Sequence, residues 1–76
     1  MPRFHFDIRE NGRLIADDDG RDFADGEDAR REAVLTGASI ARDAFIVGSA
    51  NRIVVDVREE GAPFLKVSIT LEFEEP

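Results

Sequence analysis

Only one stretch of this 76-residue chain can be a long helix, and small side chains dominate its apolar stripe. In Asp25 to Val47, DGEDARREAVLTGASIARDAFIV, apolar residues recur at the helical period. Ala29, Ala33, Val34, Gly37, Ala38, Ile40, Ala41, Ala44, Phe45 and Val47 share one half of the wheel. Asp28, Arg31, Glu32, Ser39, Arg42 and Asp43 occupy the other. Asp25 is a natural N-cap, and Glu27 and Asp28 put negative charge in the first turn, where the helix dipole favours it. Gly48 suits the residue just past the helix end. A stripe rich in Ala and Gly lets the helix axis lie close to what it covers. That must be a sheet, because the rest of the chain alternates with period two.

Arg3 to Arg9 places Phe4, Phe6 and Ile8 on one face and Arg3, His5, Asp7 and Arg9 on the other, which is a half-buried strand. Asn11-Gly12 is a two-residue hairpin signal, and Arg13 to Ala16 returns as a short second strand. The acidic segment DDDGRDFADG follows, with Phe23 as an anchor expected under the helix start, broadly as a hydrophobic staple. After the helix, Arg52 to Arg58 turns Ile53, Val55 and Val57 inward. Glu59 to Pro63 reads as a turn, and Leu65, Val67, Ile69, Leu71 and Phe73 form the inward row of the longest strand. The expectation is a single α+β domain over residues 1–76. It is a four-stranded antiparallel sheet in ββαββ order with one helix packed on one face. Strand order 2-1-3-4 follows naturally from the connections; 2-1-4-3 stays open.

Composition narrows the classes of function. The chain has no cysteine, so neither a disulfide framework nor a thiolate metal site can form. No run approaches a membrane span, the opening MPRFHFDIRE lacks the apolar core of a signal peptide, and a cytoplasmic location is the expectation. The formal charge of −7 argues against general affinity for nucleic acid or anionic lipid.

The candidate chemistry is sparse. Asp17, Asp18, Asp19, Asp22 and Asp25 suggest a hard-cation loop, but the acids do not fall at EF-hand spacing before either Gly20 or Gly26, and a solvated turn is the better reading. His5 has Asp7 on the same strand face, yet no nucleophile or second ligand accompanies it. No catalytic residue, metal ligand or cofactor site is assigned, and the chain is read as a non-enzyme.

What remains is binding. The outward sheet face carries Arg3, Asp7, Arg9, Arg52, Asp56, Arg58, Lys66 and Glu72, a net +2 on a molecule of −7. Such a face could receive an acidic peptide, a second copy or single-stranded RNA. RNA-binding sheets, however, turn aromatics outward, and here Phe64 alone is a candidate. Leu35 and Ile46 lie in the polar half of the helix wheel, where they could touch a partner. The last strand has one cation, Lys66, to discourage edge pairing. Arg3, His5, Arg58, Lys66, Leu35 and Ile46 are therefore the expected partner-binding residues. The expected role is a small protein-interaction module, a homodimer or a binder of another protein, with acidic ligands or RNA on the outer face as the alternative.

Four segments also carry a resemblance. MPRFHFDIRENG, Asp17-x-x-Gly20-x-x-Phe23-x-Asp25, Ala29-Arg30-x-Glu32-Ala33 and Val55-Asp56-Val57-Arg58-Glu59-Glu60-Gly61 resemble a family of short alphaproteobacterial proteins, frequent in rhizobia, catalogued as a domain of unknown function. The resemblance implies a single domain over nearly the whole chain. It implies no activity, cofactor or site residue.

Overall fold

The structure, a computed structural model, describes residues 1–76. The elements run β1 (Arg3–Glu10), β2 (Arg13–Ile15), β3 (Arg21–Asp22), α1 (Gly26–Val47), β4 (Arg52–Glu59) and β5 (Ala62–Thr70). All strand pairs are antiparallel, in the order β2-β1-β4-β5, with the two-residue β3 also against β1. This is the expected α+β fold, and of the two strand orders it is 2-1-3-4, counting the four alternating segments. β3 is the addition; two residues carry no alternation to read.

Both hairpins close on two residues with positive φ, Asn11 (46°) with Gly12 (93°) and Glu60 (50°) with Gly61 (86°). This left-handed pair matches the twist of the strands it joins. The second turn is thus Glu60-Gly61 alone. Ala62 and Pro63, read from the sequence as turn, already belong to β5. Register then slips: Val57 faces Leu65 but Arg58 faces Pro63, leaving Phe64 as the extra residue of a β-bulge. The Phe64 ring lies edge-to-face against Phe4 at 5.3 Å, and a Cβ on Gly26 would come within 2.6 Å of it. Phe64 therefore packs beside the helix start and is not a stacking platform on the outer face.

The helix begins as its sequence dictates, with the Asp25 side chain accepting from Asp28 N and left-handed Gly48 closing the other end. Its buried ridge is narrower than the wheel implied: Ala29, Ala33, Gly37, Ala41 and Ala44. Val34, Ala38 and Val47, expected inward, are exposed. A helix crossing a sheet at close range buries one row of side chains. Gly37 shows how close, since a Cβ there would meet Ile69 Cδ1 and Val55 Cγ2 at 3.1 Å.

The last strand is shorter than its alternation. It ends at Thr70, which pairs with Arg52, the first residue of β4, so no strand continues opposite it. Leu71 N donates to Asn51 O, and Phe73 is 84% exposed, not part of the inward row. Phe4, Ile8, Ile53, Val55 and Val57 form the sheet side of the core, against the helix alanines. Phe23 packs edge-to-face on Phe4 and Phe6, at 5.9 and 5.7 Å, confirming it as the anchor of the acidic segment.

The core is thin. The accessible surface is 5310 Å², roughly 600 Å² more than the ~4,700 Å² of a compact monomer of this mass. The radius of gyration is likewise 13.3 Å against about 11 Å for a compact chain of this length.

Candidate functional site

Paired residues of an antiparallel sheet share a face, so the register fixes what the open face displays. It carries His5, Asp7 and Arg9 from β1, Val54, Asp56 and Arg58 from β4, and Lys66 and Ser68 from β5. Asp7 and Asp56 stand directly opposite one another. Like charges so placed repel, and each is neutralised diagonally. Arg58 grips Asp7 through Nε to Oδ2 at 2.8 Å and Nη2 to Oδ1 at 3.2 Å. Arg9 Nη2 approaches Asp56 Oδ2 to 3.0 Å as an ion pair, without hydrogen-bond alignment.

Asp17 ties the acidic segment to this ladder. Its side chain accepts from Phe6 N and Gly20 N, both at 3.0 Å, and its own N–H donates to Asp7 Oδ1 at 2.9 Å. Its carbonyl accepts from Arg58 Nη2 at 3.1 Å and lies 3.0 Å from His5 Nδ1. The Arg58 hydrogen bond, helped by the Asp17 N–H and opposed by burial, holds the Asp7 carboxyl below the usual carboxylate range. Burial opposes ionisation of Asp17, but the N–H groups of Gly20, Phe6 and Asp19 outweigh it and lower its pKa too. Asp7 in turn raises the pKa of Arg58.

These contacts revise the sequence reading of the loop. Asp17 is a half-buried clamp, not a solvated turn residue, while Asp18 and Asp19 are exposed. Asp25 caps the helix and Asp22 pairs with Arg3 at 3.3 Å. The oxygens a cation would need are dispersed among N–H donors and cations.

The expected partner-binding residues fall in three places. Arg3, His5 and Arg58 lie together at the loop end of the open face, and all three engage residues 17–22: Arg3 donates to Asp19 O at 2.7 Å besides pairing with Asp22. Lys66, on β5, makes no ion pair. Leu35 and Ile46 are 60% and 78% exposed on the outer side of the helix, away from the sheet. Eleven residues apart, about 16 Å along the axis, they flank Ser39 and Arg42 and form no continuous apolar patch.

Two features go beyond the sequence reading, which had singled out the edge of the last strand but not the closure of the opposite one. One is the recessed relief of the open face. A groove of about 500 Å³ runs past Asp7, Leu14, Asp56, Pro63 and Lys66, and a second recess of about 380 Å³ lies toward the Asn11-Gly12 turn. The other is the inequality of the two sheet edges. Along β1, the short β2 covers Ile8 to Glu10, β3 covers Arg3 and Phe4, and the Asp17 carboxylate takes up Phe6 N between them. The nine-residue β5 has no neighbour on its outer side. Pairing between distant segments sets the relief of the face and the closure of the β1 edge, and no local signal marks either.

No curated protein and no solved structure matches the chain. A family model does: that of the domain of unknown function DUF6894 covers residues 3–70, every strand and the helix included. The chain therefore belongs to the DUF6894 family of domains of unknown function.

Proposed function

We propose that this chain is a non-enzymatic protein-interaction module that pairs with a second copy of itself through the outer edge of β5. The inequality of the two edges carries the reading. A loop, two short strands and a carboxylate close the β1 edge, whereas β5 presents a row of unpaired backbone groups with one charged side chain, Lys66. Open edges of this kind add a strand from another chain.

An antiparallel pair of identical strands is two-fold symmetric. Centred on Val67, it sets Leu65 opposite the partner's Ile69 on the helix side and Lys66 opposite the partner's Ser68 on the other, so no like charges meet. The helix supports the same edge. Its Ile40, Asp43 and Val47 flank lines a recess with Glu10 of β1, leaving exposed Val34 and Ala38 on the β5 side. The surplus surface approaches the ~800 Å² that each partner contributes to a standard interface. On the resemblance described above, we assign the module to the cytoplasm of an alphaproteobacterium.

Sedimentation equilibrium tests the proposal. Ser68→Lys, at an exposed position, sets two like-charged pairs across the two-fold and should weaken the dimer at least ~10-fold while preserving the fold. Leu35→Ser with Ile46→Ser should leave the dimer intact. A parent protein that stays monomeric at high micromolar concentration, or a dimer lost only in the Leu35/Ile46 variant, refutes edge pairing.

A further inference from the structure

We propose that the recess at the hairpin end of the open face is a binding site for a phosphate group. Arg9 on β1, Arg52 on β4 and Lys66 on β5 converge on it, with Asn11 and Asn51 at its rim and Val54 at its floor. None of its lining residues is acidic, in a chain with 17 acidic and 10 basic residues. Three cations have been gathered where composition alone would place mostly carboxylates.

The register explains the convergence. Arg9 stands directly across from Val54 on one side; Lys66, opposite Asp56, lies diagonally across on the other. Arg52 is two residues along the same strand face. Val54 points away from the helix yet is only 7% exposed, and these long side chains surround it. An apolar floor within a ring of cations lowers the local dielectric and strengthens each charge toward an incoming anion.

The cations are also free to act. Arg52 and Lys66 have no carboxylate within ion-pair distance, and six of the ten basic residues elsewhere or nearby do. Arg9 is committed by a single contact to Asp56 Oδ2, made without hydrogen-bond alignment, so its remaining N–H donors are available. The Arg58 fork, by contrast, is held through Nε and Nη2 by Asp7 and Asp17, and that end of the face has its carboxylate already in place. Guanidinium groups match phosphate oxygens two at a time, and a phosphate monoester carries −1.5 to −2 charge, enough to relieve the mutual repulsion of three cations. A carboxylate brings a single negative charge. Pairing through β5 takes place in the plane of the sheet and leaves this face uncovered, so the two proposals stand or fall separately.

Amide chemical shifts followed by heteronuclear NMR test the site on the full chain. The ligands are inorganic phosphate, a nucleoside monophosphate and a phosphoserine peptide, with acetate and an RNA oligonucleotide lacking terminal phosphates as contrasts. The expected result is saturable shifts centred on Gly12, Asn51, Arg52 and Lys66 with inorganic phosphate. The stronger of the other two phosphate ligands then identifies whether the group is carried by a nucleotide or a peptide. Arg52→Gln with Lys66→Gln, both exposed, should weaken binding about tenfold or more. Arg31→Gln, an exposed cation on the helix without an ion pair, should change nothing. Shifts that never saturate, equal shifts with acetate, retention of binding in the double variant, or binding of the RNA without binding of phosphate would each overturn the assignment.

Discussion

Removing one carboxylate, that of Asp17, should cost this domain a large share of its stability. Phe6 N lies on the stretch of β1 that neither β2 nor β3 reaches, and Asp17 Oδ2 accepts it at 3.0 Å while Oδ1 accepts Gly20 N at the same distance. Asp17→Ala strands both donors at a half-buried site while leaving the backbone contacts to Asp7 and Arg58 in place. A hydrogen bond to a charged acceptor contributes about 1.5–3 kcal/mol, and partial access of water to the vacated position lowers the loss to about 1–1.5 kcal/mol for each donor. The two together give roughly 2–3 kcal/mol. For a domain whose total is roughly 5 kcal/mol, that is about half. At 4–8 °C per kcal/mol for a chain of this size, the melting temperature should fall by roughly 10–20 °C.

Asp18→Ala and Asp19→Ala remove exposed carboxylates that accept no hydrogen bond through their side chains, and should change stability by no more than about 0.5 kcal/mol. Thermal unfolding by circular dichroism measures the three variants. Hydrogen exchange locates the effect, since the Phe6 and Gly20 amides should lose protection in Asp17→Ala before the centre of β4 does. Three variants with the same midpoint, or an unchanged exchange rate at Phe6, would show that the carboxylate does not close the β1 edge.

Ala41 is 3% exposed at the centre of the helix ridge; Ala41→Asp buries an unpartnered carboxylate and should abolish cooperative unfolding, and a retained transition near the parent midpoint would place the ridge on the wrong side. Phe64→Ala removes the ring that fills the space beside Gly26 and Phe4 and should cost about 1–2 kcal/mol by chemical denaturation, less than a fully buried Phe because the ring is partly exposed. Asp7 and Asp17 both titrate lower in the fold than in the unfolded chain. The unfolded state therefore binds more protons in that range, so the stability they contribute is complete above about pH 4 and is lost as pH falls through their native values. Melting temperatures measured from acid to neutral pH should drop steeply on the acid side, and Asp7→Asn should flatten that limb; an unchanged limb counts against the clamp.

The sequence alone determined the helix, the four alternating strands and the covered face of the sheet. The Ala and Gly period from Ala29 to Ala44, capped by Asp25 and Gly48, can only be a helix lying close to an apolar surface. Alternation in Phe4-Phe6-Ile8 and Ile53-Val55-Val57 can only be strands with one covered face. These signals are local, carried by residues two to four apart. The register was not legible, because it depends on which distant residues meet: Asp7 opposite Asp56, Lys66 opposite Asp56, Thr70 opposite Arg52. From register follow the bulge that redirects Phe64, the end of β5 before Phe73, and the clamp that makes Asp17 unlike Asp18. It also separates Arg3 and Arg58, engaged with the 17–22 loop, from Arg52 and Lys66, which remain free. Charge along a strand can be counted from the sequence, but its pairing across strands is a property of the fold.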